Sequence, residues 1–326
     1  MRIALVGHFR ADRGTGDIGT KNIAHSLADV LEGRCEIRRF DIKHIGSLLQ
    51  MRRFQPDILH FILDPSMAGM CAARLFSLAS RSRKTVISAT NPSHVLLKTL
   101  TALCKPDLIL VQSDESEQRF QKLGMATRFI PNGVDTGRFR PVTPSEKAAL
   151  RSARGFTEED FVILHAGPII QGRNLQALIP LCGISERVVV IGRTPADAGL
   201  SRQLVSAGCR VITDYQPDIE RWYQLADCYI FPADPENRGY SIEIPLSVLE
   251  AMSANLPVIT TKFGGLPRMF PDEGNGLCFI DRQERIPSHL NAIKNHHAPV
   301  ATRNWVLPYS WDRVARQVLE VYEDQC

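Results

Sequence analysis

The chain lacks several signatures that would fix its class at once. Its eight cysteines include no C-x-x-C pair, which excludes zinc-ribbon and thioredoxin-type motifs. They are scattered among apolar positions in the manner of buried thiols, which predicts a reducing compartment. No apolar run approaches the roughly 18 residues that a membrane-crossing helix needs. The opening run Met1–Gly7 is shorter than the apolar core of a signal peptide, so a cytoplasmic protein without a leader is expected. No two aspartates stand two apart, and the adjacent His296 and His297 would project differently from a helix, so no metal site is expected. G-x-S-x-G, heptads, short repeats and low-complexity tracts are all missing. No bound cofactor and no nucleic-acid partner are expected.

What is present is the composition of an ordinary globular chain: 326 residues, 44% hydrophobic and 23% charged. At about 100–200 residues per domain, that length predicts two domains, each able to bury its own core. Charge is unevenly placed. Residues 1–140 carry 21 Lys and Arg against 13 Asp and Glu, whereas the remainder carries 18 against 22. The basic half suits an anionic membrane surface or a phosphorylated acceptor, and equally a solvated surface that binds nothing.

Short apolar runs alternate with helical spacing. Ile3–Val6, 58–63, 85–89 and 108–111 read as strands; helices are expected over Ile18 to Leu31 and near 66–82, 93–104 and 114–123. Residues 141–160, with two prolines, several charges and little periodicity, read as a linker. A second series follows at 161–164, 188–191, 210–212, 228–231 and 256–259, and a last helix near 311–323 carries Val314, Val318, Val321 and Tyr322 on one stripe. The alternation predicts an α/β chain of two doubly wound, Rossmann-like domains with a ligand cleft where the strand ends meet. The expected division is 1–145, 155–308 and a terminal helix over 309–326.

Two stretches carry candidate chemistry. Gly14, Thr15, Gly16 and Gly19 match the G-x-G-x-x-G spacing ahead of a helix, where a backbone can approach an anion closely. A polar segment, His8 to Arg13, separates them from the first strand, so a loop that merely caps the helix fits as well. The acid expected about 20 residues on would be Glu36 or Asp41. The other stretch runs from Tyr240 through Met252. Pro245 suits a helix start, which leaves Glu243 in the entering loop and Glu250 on the helix, where its carboxylate can accept from a ribose diol. By residues alone, a solvated helical glutamate is the better account of Glu250.

Four further stretches, taken together, resemble the retaining glycosyltransferases of family 4. They are Pro131-Asn132-Gly133-Val134-Asp135 with Phe139 and Pro141; Leu225 through Pro232; Leu249-Glu250-Ala251-Met252 through Leu256-Pro257-Val258-Ile259 with Gly264-Gly265-Leu266-Pro267; and Ser310-Trp311-Asp312. The resemblance implies a GT-B fold with a terminal helix that crosses back to the first domain. It implies transfer of a sugar from a nucleotide-sugar donor to a glycan, lipid-linked or small-molecule acceptor, with retention at the anomeric carbon. By that likeness Glu250 holds the donor ribose, and Gly167, Arg173, Ser241, Pro245, Leu246, Ser247 and Val248 surround the donor. Glu243 is expected to face the sugar as the catalytic residue in place of the family's first glutamate, unless it merely favours the helix N-terminus, and Gly14, Thr15, Gly16 and Gly19 lie near the phosphates and acceptor. The D-x-D of metal-dependent sugar transferases is missing, which implies metal independence. The chain also departs from the pattern. The family's first glutamate aligns with Ile242, one position before Glu243; Pro168 replaces an arginine of the diphosphate pair, while Arg173 keeps the other charge. A first-domain histidine is replaced near Thr90-Asn91, and His60 reads as structural. Two other readings remain: an epimerase or phosphorylase on the same fold, and a degenerate transferase that binds a nucleotide sugar without turnover. A place at the cytoplasmic face of a membrane is the expectation that follows from the basic half.

Overall fold

The computed structural model describes residues 1–9, 18–42, 46–63, 65–90, 102–183, 186–192, 197–234, 242–295 and 299–326. The chain divides into two compact units. The first comprises Met1–Gly133, Ser241–Ile244 and Trp311–Cys326; the second comprises Val134–Tyr240 and Pro245–Ser310.

The first unit is built on six parallel strands: β1 (Arg2–Gly7), β2 (Glu36–Asp41), β3 (Ile58–Leu63), β4 (Lys84–Ala89), β5 (Leu108–Val111) and β6 (Thr127–Phe129), in the order β2-β1-β3-β4-β5-β6. Ile3 stands opposite Ile37 on one side and Ile58 on the other, so β1 is the strand from which the order runs both ways. Helices α1 (Ile18–Leu31), α2 (Gly46–Phe54), α3 (Met67–Ser80) and α4 (Asp114–Lys122) cover the sheet together with the terminal helix, Trp311–Gln325. Leu59, Phe61, Ile87, Ile109 and Val111 pack under Met51, Met70 and Phe120. The terminal helix packs on α1 and buries Val314, Val318, Val321 and Tyr322. With both faces covered, β3 is buried at every position, which is why it reads as a continuous apolar run rather than an alternating one.

The second unit repeats the plan with β7 (Phe161–Ala166), β8 (Glu186–Ile191), β9 (Arg210–Ile212), β10 (Cys228–Phe231), β11 (Val258–Thr261) and β12 (Leu277–Ile280), all parallel, in the order β12-β11-β10-β7-β8-β9. Its helices are α5 (Pro144–Ser152), α6 (Ala198–Ser206), α7 (Ile219–Leu225), α8 (Leu246–Ser253), α9 (Leu266–Met269), α10 (Ile286–Asn295) and α11 (Thr302–Val306), with 3-10 turns over Gln171–Arg173 and Leu175–Leu181. The strand order reverses between β7 and β10. In open parallel sheets a ligand crevice forms beyond the carboxyl ends of the strands at such a reversal.

Several elements were not expected from the sequence, among them short or half-exposed ones. β2 is an edge strand whose alternate residues are exposed and charged; α2 is short and polar; β6 has three residues and β12 four. The stretch 141–160 is not a bare linker. Thr143 caps α5 and Glu146 closes the capping box, while Lys147 and Arg151 both bind Asp227. That polar composition serves a cap and an ion-pair cluster within the second unit, and the chain leaves the first unit earlier, after Gly133. Most of the expected helix near 93–104 lies outside the described residues.

Candidate functional site

At the reversal point of the second sheet, β7 ends in Ala166 and Gly167. Gly167 has φ 153°, a backbone region that favours glycine, and its amide bonds Ile191 O at 2.9 Å. The chain then enters the 3-10 turn Gln171–Arg173. Asn174, left-handed at φ 54°, donates from Nδ2 to Pro232 O at 3.2 Å, tying the turn to the end of β10. Arg173 is thereby laid against that strand end, its guanidinium carbon 4.8 Å from the Phe231 ring centroid. Only 8% of the residue is exposed. Among the described residues no carboxylate pairs with it, and its Nε–H has no acceptor. Burial lowers its pKa, yet a guanidinium stays charged. A buried cation without a counter-charge is costly, and an anionic ligand relieves that cost.

The second charge of the site comes from α8. Pro245 takes the N-cap position and offers no side-chain cap to the first turn, which holds Leu246, Ser247 and Val248. The Val248 amide bonds Pro245 O at 3.1 Å. Glu250, half-buried on this helix, accepts from the Tyr223 hydroxyl at 2.7 Å. Burial pushes its carboxyl up to about 7, against lowering by the Tyr223 bond and by Arg138.

Between the two charges runs a ladder of rings. Tyr223 stacks on Tyr229 at 5.7 Å, Tyr229 on His165 at 6.2 Å, and His165 on Phe231 at 6.1 Å, the ring that Arg173 covers. The Tyr229 hydroxyl donates to Ala166 O at 3.1 Å and accepts from Ser247, tying β10 to β7 and to the start of α8. The sequence reading missed Tyr223, Tyr229, Phe231 and His165. The one visible signal was a lone histidine inside the apolar run 161–166.

Glu243 is the residue expected to face the sugar. It is only 4% exposed and belongs to the first unit, where its carboxylate accepts from Ser116 Oγ at 2.6 Å and from Ser113, the N-cap of α4. Burial pushes its pKa up. Asn132 Nδ2 donates to Ile244 O at 3.0 Å and Gln112 Nε2 to Asn132 Oδ1 at 2.6 Å, so residues 242–244 are bonded into that unit. Gly19 lies in the first turn of α1. Gly14, Thr15, Gly16, Ser241, Asn91, His296 and His297 lie outside the described residues. Pro168 is exposed beside Gly167. His60 is fully buried between Tyr322 and Ser88. Among the described residues no three His, Cys, Asp or Glu side chains gather as a metal site, and no helix is long and apolar enough to cross a membrane.

Residues 162–295 match the family model described as Glycosyl transferases group 1. Sulfoquinovosyl transferase SQD2 of Arabidopsis thaliana is 26% identical over 249 residues, covering 70% of this chain and 47% of that protein. The D-inositol 3-phosphate glycosyltransferase of Paenarthrobacter aurescens is 27% identical over 218 residues, covering 60% and 50%. The chain thus spans about half the length of these curated relatives. Among solved structures, Anabaena HepE in complex with UDP and glucose superposes with a TM-score of 0.74 at 15% identity, over 99% of this chain and 100% of that one. That likeness identifies the two-sheet architecture as the GT-B fold.

Proposed function

We propose that the chain, whose residues 162–295 match the model for glycosyl transferases group 1, transfers a sugar from a nucleoside-diphosphate donor, with retention of anomeric configuration. The observation that carries this reading is Arg173: a buried guanidinium without a carboxylate among the described residues, at the strand ends where the second sheet reverses. A diphosphate supplies the missing charge. In this reading the amides of Leu246 and Ser247 at the start of α8 add partial positive charge on the leaving group. Glu250 accepts from the ribose hydroxyls, and Gly167 keeps the backbone low beside the donor. The site works by positioning the donor and stabilising the charge that develops on the departing diphosphate. Glu243, saturated by Ser113 and Ser116, enters the reading as the anchor of residues 242–244. Glu243→Gln is therefore expected to lower the melting temperature and spare turnover; loss of turnover at unchanged stability would return it to the sugar.

The acceptor is proposed to be anionic, a phosphorylated small molecule or a lipid at a membrane surface. The basic residues 1–140 support this, as do the exposed Leu49, Leu75 and Leu78 on α2 and α3, helices that pack together. A specific observation favours a second reading: Pro168 stands where the family carries an arginine, which suits a protein that binds the donor without turning it over. Incubation with UDP-, ADP- and GDP-sugars, following nucleotide release with and without candidate acceptors, decides between them. Release marks a transferase; tight binding without release marks the second reading.

A further inference from the structure

His165 carries a feature that the donor-site reading does not use. Its Nδ1 lies 2.9 Å from Ile230 O. A carbonyl can only accept, so the ring proton sits on Nδ1 and Nε2 presents a lone pair. That Nε2 is buried and has no partner among the described residues. The Nε–H of Arg173 is likewise buried and has no acceptor among them. One atom lacks a donor and the other lacks an acceptor, and both side chains rest on the same ring: His165 stacks on Phe231 at 6.1 Å, and the Arg173 guanidinium carbon lies 4.8 Å from its centroid. Gly167 leaves the space beside the imidazole unfilled, since a Cβ there would come within 3.4 Å of Nε2. Burial and the nearby Arg173 charge push the histidine pKa down to about 4, which keeps the ring neutral and its lone pair available.

We infer that His165 is a positioning residue for Arg173: when a diphosphate occupies the site, Arg173 Nε–H donates to His165 Nε2, and the terminal NH2 groups of the guanidinium turn toward the phosphates. The inference rests on the donor-site reading given above. It pairs two complementary atoms that are otherwise unpartnered, and unpartnered buried polar groups are rare enough to call for a reason. It also explains a histidine in a strand that is otherwise apolar. The backbone of Arg173 is already fixed through Asn174 and Pro232, so only the side chain has to turn.

Calorimetry on the full chain tests it, with UDP, ADP and GDP each compared with its nucleoside. His165→Phe keeps the stack and removes the acceptor; it is expected to weaken the best-bound diphosphate about 3- to 10-fold and to leave the nucleoside unchanged. His165→Gln, which offers a carbonyl acceptor, should recover most of that loss. In an Arg173→Ala background, His165→Phe should have no further effect. Equal losses for diphosphate and nucleoside, or an undiminished loss in that background, would overturn the inference. If Arg173→Ala itself spares diphosphate binding, the donor-site reading fails first and the inference falls with it. If His165→Phe does not fold, the 15N resonance of His165 Nε2 in the unaltered protein decides: a shift toward a hydrogen-bonded acceptor on adding the diphosphate supports the pairing, and no shift refutes it.

Discussion

In the proposed donor site, Glu250 is the side chain that would link stability to ligand binding. Its carboxyl, raised from the ordinary 4.5 to about 7, favours the protonated form in the folded protein. The stability this contributes is complete below about pH 4.5 and is lost as pH rises through about 7. Glu250→Gln, which mimics the protonated form, should therefore raise the melting temperature relative to the parent at pH 8, with the gap closing at pH 4.5. The ribose contact proposed for Glu250 would run the other way, because only the carboxylate accepts from both hydroxyls. Nucleotide affinity should climb between pH 6 and pH 8 and become flat and weaker in Glu250→Gln; an identical pH profile in the two proteins would remove Glu250 from the ribose site. Arg173→Ala is expected to weaken nucleoside-diphosphate binding by one to two orders of magnitude, from a charge-assisted contact of about 1.5–3 kcal/mol, and to affect the nucleoside far less.

At the scale of the element, the terminal helix is fastened to the first sheet by more than its apolar stripe. Tyr322 Oη lies 2.5 Å from His60 Nδ1, and His60 Nε2 lies 2.7 Å from Ser88 Oγ. Both ring nitrogens are engaged, which accounts for a histidine buried in β3. Burial pushes its pKa down to about 3, so the unfolded chain takes up a proton that the folded chain refuses. Stability from this group is present above about pH 6.5 and is lost as pH falls toward 3. Thermal melts should show that loss, and it should shrink in His60→Gln. Tyr322→Phe strands the ring nitrogen and should cost about 1–3 kcal/mol in denaturant titration, whereas a change near zero would mean that the stripe alone holds the helix.

At the scale of the whole molecule, charge is the property that distinguishes the two halves. Residues 1–133, with 19 Lys and Arg against 12 Asp and Glu, lie in the same unit as the exposed leucines of α2 and α3. Vesicles containing anionic phospholipid should co-sediment the protein at low salt and release it as the Debye length falls to about 3 Å near 1 M. Equal binding to neutral vesicles would assign the attachment to the leucines, and no binding to either would leave the basic surface to a phosphorylated soluble acceptor. A chelator is expected to leave turnover intact; activity lost and then restored by magnesium or manganese would refute metal independence.

The sequence by itself determined the class of fold and much of its order. Buried parallel strands must be apolar on both faces, so β1, β3, β5, β7, β8 and β10 stand out in the sequence as runs, and α1 and the terminal helix as stripes. Glu250 and Arg173 were singled out only through the resemblance to the retaining glycosyltransferases, since neither is conspicuous by its residue context alone. Edge strand β2 and the four-residue β12 were hidden, since short or half-exposed strands carry too few apolar positions to register. Only the tertiary structure decided what the charges touch. It gave Glu243 to Ser116, more than a hundred residues away, and it set Arg173 on Phe231 from a neighbouring strand. It also left His165 Nε2 and Arg173 Nε without partners among the described residues, beside one ring. Such pairings follow from strand order and side-chain packing across long separations, and local periodicity contains no record of them.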